Sequence, residues 1–187
     1  MAIKPDLNEV FAALNERLAQ ADISLEIVIA GGYALQYHDL RGTQDIDAFY
    51  HDDDLIREMI FSVGEKFGIN TENESWLNNS VSSMNRVPPT NICETIFSFS
   101  NLTVLMPPLS YILGMKTESM RGRDIQDIGA IIKYLGIKDP FALLKQLSGY
   151  GFSPDISIIM EGFEIAYGTD WLEEFYREHQ EEVNRLM

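Results

Sequence analysis

Residues 24–50 constrain the fold of this chain more than any other stretch. The run SLEIVIA (24–30) is rich in β-branched and apolar residues and stops at Gly31-Gly32, which reads as a buried strand. Residues 33–39 then have the length of a short helix. The run DIDAFY (45–50) alternates: Ile46, Ala48 and Tyr50 fall on one face, and Asp45, Asp47 and Phe49 on the other. It reads as a second strand. Two strands joined through a glycine turn and a short helix demand a sheet with helices laid against it.

The flanking sequence extends this pattern. Leu7, Val10, Phe11, Leu14 and Leu18 recur at helical spacing over 7–21, with Asp6 as the N-cap. Asp52-Asp53-Asp54 opens a helix reaching Phe67, with its acids at the favourable end of the helix dipole. Residues 69–91 are polar, rich in Asn and Ser, and read mostly as loop, pinned by Trp76 and Leu77. Residues 92–98 and 102–106 read as a hairpin around Ser100-Asn101. After Pro107-Pro108 the pattern turns helical, with helices predicted at 109–115, 123–135, 140–147, 154–167 and from 170 almost to the end. The expectation is an α/β (α+β) fold. A small mixed sheet flanked by helices fills residues 1–107, and a helical lobe, 108–187, packs on it.

The chemistry sits on Asp45 and Asp47. Side chains two apart on a strand project from one face, and two adjacent carboxylates repel unless a cation lies between them. Their oxygens suit Mg²⁺ or Mn²⁺, ions that also bind phosphates. Taken alone, Asp-x-Asp equally describes the solvated face of a half-exposed strand. The preceding turn changes the balance. Glycines let the backbone approach a phosphate, and the free amides of a helix start bind anions. The order of parts places a phosphate cradle and a carboxylate pair on neighbouring strands.

Composition limits the partners. The formal charge is −15, from 14 Lys+Arg against 29 Asp+Glu. Nucleic acid is held through neutralised phosphates, so broad binding of DNA or RNA is disfavoured, while a metal-bridged triphosphate is compatible. No apolar run is long enough to span a bilayer. The opening Met1-Ala2-Ile3-Lys4-Pro5-Asp6 has no charged leader followed by an apolar core. Cys93 is the single cysteine, so no intrachain disulfide forms, and it is expected to be a small buried hydrophobe. A cytoplasmic location is the expectation.

The segment IAGGYALQYHDLRGTQDIDAFY (29–50) resembles the signature of the DNA polymerase β-like nucleotidyltransferase superfamily. More narrowly it resembles the AbiEii-like branch, which includes toxins of toxin–antitoxin and phage-defence systems. Arg41, Thr43, Asp45 and Asp47 match that branch's Arg-x-Thr-x-Asp-x-Asp segment. Lys116 in ILGMKTESMRGRD, then Arg123, Asp124 and Asp127, match its later lysine and Arg-Asp-x-x-Asp segment, so the resemblance covers about residues 27–135. It implies a metal-dependent enzyme that moves a nucleoside monophosphate from an NTP to an RNA acceptor, such as a tRNA end, or to a protein. An antitoxin is the implied partner. It also implies that Asp45 and Asp47 hold Mg²⁺ or Mn²⁺, and that Gly31, Gly32, Arg41, Thr43, Lys116 and Arg123 bind the nucleotide. In this reading Lys116 contacts the phosphates, and Asp127 aids catalysis or positions the base. Many members carry a third metal-binding carboxylate on a later strand, for which Glu94 is the candidate. Gly32 replaces the serine that many active members have in the turn. A catalytically weak member that only binds a nucleotide or a protein partner is the alternative.

The second motif also has a plain reading. Asp124 and Asp127 share a helix face, and Arg123 with Asp127 has the spacing of an ordinary intrahelical ion pair. His38, His51 and His179 show no metal-ligand spacing. Trp171, Phe175 and Tyr176 fit a packing stripe better than a base-stacking platform.

Overall fold

The computed structural model describes residues 6–72, 74–83, 86–119 and 122–186. The opening residues 1–5, read above for a leader, lie outside the described residues, as do 73, 84 and 85 of the Asn- and Ser-rich stretch. The chain divides into two compact units, Met1–Pro108 and Leu109–Met187.

The first unit is built on a five-stranded mixed sheet. Its strands are β1 (Leu25–Ile29), β2 (Ile46–Phe49), β3 (Leu77–Asn78), β4 (Glu94–Ser98) and β5 (Leu102–Met106), in the order β3-β2-β1-β5-β4. β1 lies at the centre. It pairs antiparallel with β2, Ile29 facing Ala48, and parallel with β5, Val28 facing Leu105. Its apolar residues Leu25, Ile27, Val28 and Ile29 are buried there, and Glu26 is the exposed residue of the strand.

Helices α1 (Leu7–Gln20) and α3 (Asp54–Phe67) pack together, and α1 also meets β5. The predicted caps form: Asp6 accepts from the Asn8 N–H at 3.0 Å and Asp53 from the Ile56 N–H at 2.8 Å. Each satisfies an orphan donor of the first turn. The helices bury Val10, Phe11, Leu14 and Leu18, and Ile56, Met59, Ile60 and Val63, at the 3–4 residue spacing that makes one apolar face. Trp76 locks the following segment to them. Its indole N–H donates to the Ile60 carbonyl at 2.8 Å, and its ring meets Phe11 edge-on at 5.2 Å.

Three features differ from the sequence reading. Helix α2 (Gly31–Tyr37) begins at the glycines themselves and not after them. The stretch 69–91 is not all loop: it contributes β3, parallel to β2, and short 3-10 turns at Ser80–Ser83 and Thr90–Ile92. Cys93 is half-buried rather than buried. Its thiol lies 3.4 Å from the Pro89 carbonyl, and burial, then Glu26, pushes its pKa up.

The second unit is helical: α4 (Leu109–Ser119), α5 (Asp124–Leu135), α6 (Pro140–Gly149), α7 (Ile156–Tyr167) and α8 (Thr169–Leu186). α5 and α7 cross closely because both carry glycine at the contact. A side chain at Gly129 would run into Ile165, and one at Gly162 into Ile128. The rings of Phe163, Trp171, Phe175 and His179 stack in sequence at 5.2, 5.2 and 4.3 Å, so Trp171 and Phe175 do form the expected packing stripe. Among the described residues no helix is long and apolar enough to cross a membrane.

Candidate active site

The end of β1 delivers the chain to Asp47. Beyond the Ile29–Ala48 pair, the Ala30 N–H donates to the Asp47 carbonyl at 2.8 Å, which sets Gly31 beside the Asp47 side chain. Gly31 has φ +59°, in the left-handed region, and a Cβ there would collide with the Asp47 carboxylate. Only glycine meets both conditions at once. Gly32 follows with a different neighbour: Nη2 of Arg41 lies 2.7 Å from where its Cβ would stand, and the Thr43 hydroxyl 3.1 Å. The Arg41 side chain therefore lies over the start of α2.

The segment between α2 and β2 is tied down through Thr43. Its N–H donates to Oε1 of Gln36 at 2.8 Å, and its hydroxyl donates to Oδ1 of Asp45 at 3.1 Å. Asp45 immediately precedes β2, and Asp47 lies within it. Both carboxylates are half-buried.

β3 brings further partners that the sequence reading missed. Asp47 pairs with Asn78 in the β2–β3 ladder. The Asn78 amide donates to Oδ2 of Asp45 at 3.3 Å, and the Ser80 hydroxyl donates to Oδ1 of Asp47 at 3.1 Å. The Ser80 N–H donates in turn to the Asn78 side chain at 3.1 Å, so the two residues brace each other. The available signal was the apolar pair Trp76-Leu77 just ahead of a polar run.

The motif residues of the first unit thus come together: Gly31, Gly32, Arg41, Thr43, Asp45 and Asp47 form one constellation. Glu94 does not join it. Glu94 faces Met106 on the edge strand β4, three strand spacings from β2, roughly 14 Å. Continuing the β1–β5 register, it stands on the row of Ile29 and Ala48, whose side chains lie on the sheet face opposite Asp47. Among the described residues no group of three or more His, Cys, Asp or Glu side chains is arranged to hold a metal ion.

The second motif forms its own buried cluster in the helical unit. Lys116, on α4, is 7% exposed, and its ammonium lies 2.8 Å from Asp124 and 2.6 Å from Asp127 on α5. Ser119 donates to the other Asp124 oxygen at 2.6 Å. The shared helix face expected for Asp124 and Asp127 is therefore used to grip the lysine. The lysine that the resemblance assigns to phosphates is held between two carboxylates, and Asp127 is part of that grip. Arg123 is exposed at the N-cap position of α5.

The model of a protein family described as a nucleotidyltransferase of unknown function (DUF6036) matches residues 5–138, most of the chain. No curated protein and no solved structure matches it.

Proposed function

Given that this chain belongs to that family of nucleotidyltransferases, we propose that it transfers a nucleoside monophosphate from an NTP to a hydroxyl acceptor, with Asp45 and Asp47 as the reacting centre. One observation carries the reading: the two carboxylates are held by one segment, through Asn78 and Ser80, beside a glycine turn that leaves room for Asp47.

The donor set fits a divalent cation. Both hydrogen-bond partners of Asp45, Thr43 and Asn78, are neutral, so its charge is left to a cation. Carboxylate oxygens on one strand edge suit Mg²⁺ or Mn²⁺. Bound there, such an ion supplies charge neutralisation for the phosphates. The chain itself positions. The backbone of Gly31 and Gly32 admits the triphosphate closely, Arg41 lies over the same turn, and one aspartate accepts the proton of the attacking hydroxyl. The acceptor oxygen bonds to the α-phosphorus as the bond to pyrophosphate breaks. Alignment and electrostatics account for most of the rate in such reactions.

The resemblance supports an RNA or protein acceptor and a toxin role with an antitoxin partner. Growth arrest on expression, relieved by a neighbouring gene, tests that role. A binding-only protein is the second reading, favoured by the absence, among the described residues, of a third carboxylate beside the pair. Incubation with Mg²⁺ or Mn²⁺ and each α-labelled NTP in cell extract separates the two. Label on a macromolecule, lost in Asp47→Ala, supports transfer. NTP binding without label on any acceptor supports the second reading.

A further inference from the structure

A cavity of about 350 Å³ opens beside Asp45, wholly within the first unit. Leu7, Tyr33, Ile46, Ile69 and Trp76 supply its apolar lining. Gln36, Thr43 and Asp45 supply polar groups. Size and lining match those of small-molecule sites, which are mostly apolar with a few placed polar groups.

The charge pattern narrows the occupant. Among the described residues lining the cavity there is no Lys, Arg or His, and its one acidic side chain is Asp45. Tyr33 stays neutral, because burial pushes its phenol up to about 12. Phosphates are recognised by cations and by exposed amides, so this cavity repels them. Gly31, Gly32 and Asp47 are not part of the lining, so the turn that would meet the phosphates is separate. The occupant is an uncharged body, apolar on its faces and polar at its edges. Gln36 is suited to such an edge. Its carbonyl is taken by the Thr43 N–H, which fixes the orientation of the amide and leaves its NH₂ as the donor.

We propose that this cavity binds the nucleoside of a substrate, with the planar base against the apolar lining and a base acceptor atom on Gln36. The assignment rests on the nucleotidyl-transfer reading for its link to catalysis. The nucleoside can belong to the NTP or to an RNA acceptor, since both present the same uncharged ring and sugar.

The test uses the full chain and the four free ribonucleosides, without metal or phosphate, in calorimetric titrations. At least one should bind. Ile69→Phe and Leu7→Phe, which narrow the cavity, should weaken it tenfold or more while melting like wild type. Asp47→Ala should bind it unchanged. A second readout avoids the narrowed variants: in a Trp171→Phe background, the bound nucleoside should quench the fluorescence of Trp76. Failure of all four nucleosides to bind, or equal binding by well-folded narrowed variants, overturns the proposal. A non-hydrolysable NTP that displaces the nucleoside identifies the NTP as its source, and one that binds alongside it identifies the acceptor. Transfer activity without nucleoside binding sinks this proposal alone. Nucleoside binding without transfer upholds it and sinks the transfer reading instead.

Discussion

The carboxylate of Asp47 occupies the space into which a side chain at Gly31 would project. Gly31→Ala must therefore displace Asp47 as well as hold φ +59°. The backbone conformation alone costs about 1–2 kcal/mol for a residue with a Cβ. A shift of the reacting group by an ångström costs on the order of 100-fold in rate. Urea unfolding should show the first loss, and labelled-NTP transfer the second. Transfer at the wild-type rate in a Gly31→Ala protein would refute the role given to this turn.

In the proposed reaction Asn78 and Ser80 act as positioning residues, through their hydrogen bonds to Asp45 and Asp47. Each lost hydrogen bond should cost about 1 kcal/mol of stability. The larger effect should fall on the cation: groups that orient metal ligands are typically worth 10–100-fold in affinity. Manganese titrations of Asn78→Ala and Ser80→Ala should show that weakening, and Ser80→Thr, which keeps the hydroxyl, should restore much of it. Unchanged manganese affinity in both alanine variants would show that β3 is only a structural edge.

The Lys116 ammonium lies between two carboxylates that are themselves buried. Lys116→Met removes that ammonium from between Asp124 and Asp127. Breaking a buried pair in this way typically costs about 3–5 kcal/mol. Thermal melts should show a loss of that order. Adding Asp124→Asn and Asp127→Asn to Lys116→Met should recover part of it, because the stranded charge is removed.

Asp155 caps α7, accepting from the Ser157 N–H at 2.8 Å. That backbone bond, then the Ser157 side chain, holds its carboxyl below the usual range. A depressed folded pKa contributes stability above the unfolded pKa of about 3.9, and that stability fades as pH falls through the folded value. The urea midpoints of wild type and Asp155→Ala should differ by a constant amount near neutral pH and converge in stronger acid.

Much of this architecture is legible in the sequence because its elements are long enough to show a period. α1, α3, α5 and α7 carry apolar residues at helical spacing, and β1 and β2 declare themselves by composition and alternation. β3 has two residues, too few to show a period, so its pairing with β2 is set by where Trp76 anchors. Asn78 and Ser80 sit in a run where several residues have the same chemistry, and only the β2–β3 register selects those two. Glu94 was misleading for a related reason. Its strand is readable, but strand order is decided by long-range pairing, and that order places β4 at the far edge. Lys116 and Asp127 are visible as a motif, whereas their mutual neutralisation depends on how α4 meets α5.

The shortness of β3 has a thermodynamic consequence. Asp45 and Asp47 are fixed by the central sheet, but the groups that aim them sit on an edge joined by two ladder positions. Elements with few backbone bonds open at lower free energy than the whole fold. Trp76 and Leu77 anchor the start of that edge in the core, so competence of the site turns on how often residues 78–80 beyond them are docked. Amide hydrogen exchange would read that equilibrium directly, and a ligand that bridges Asp45 and Asp47 would shift it toward the docked state while adding its binding free energy to global stability.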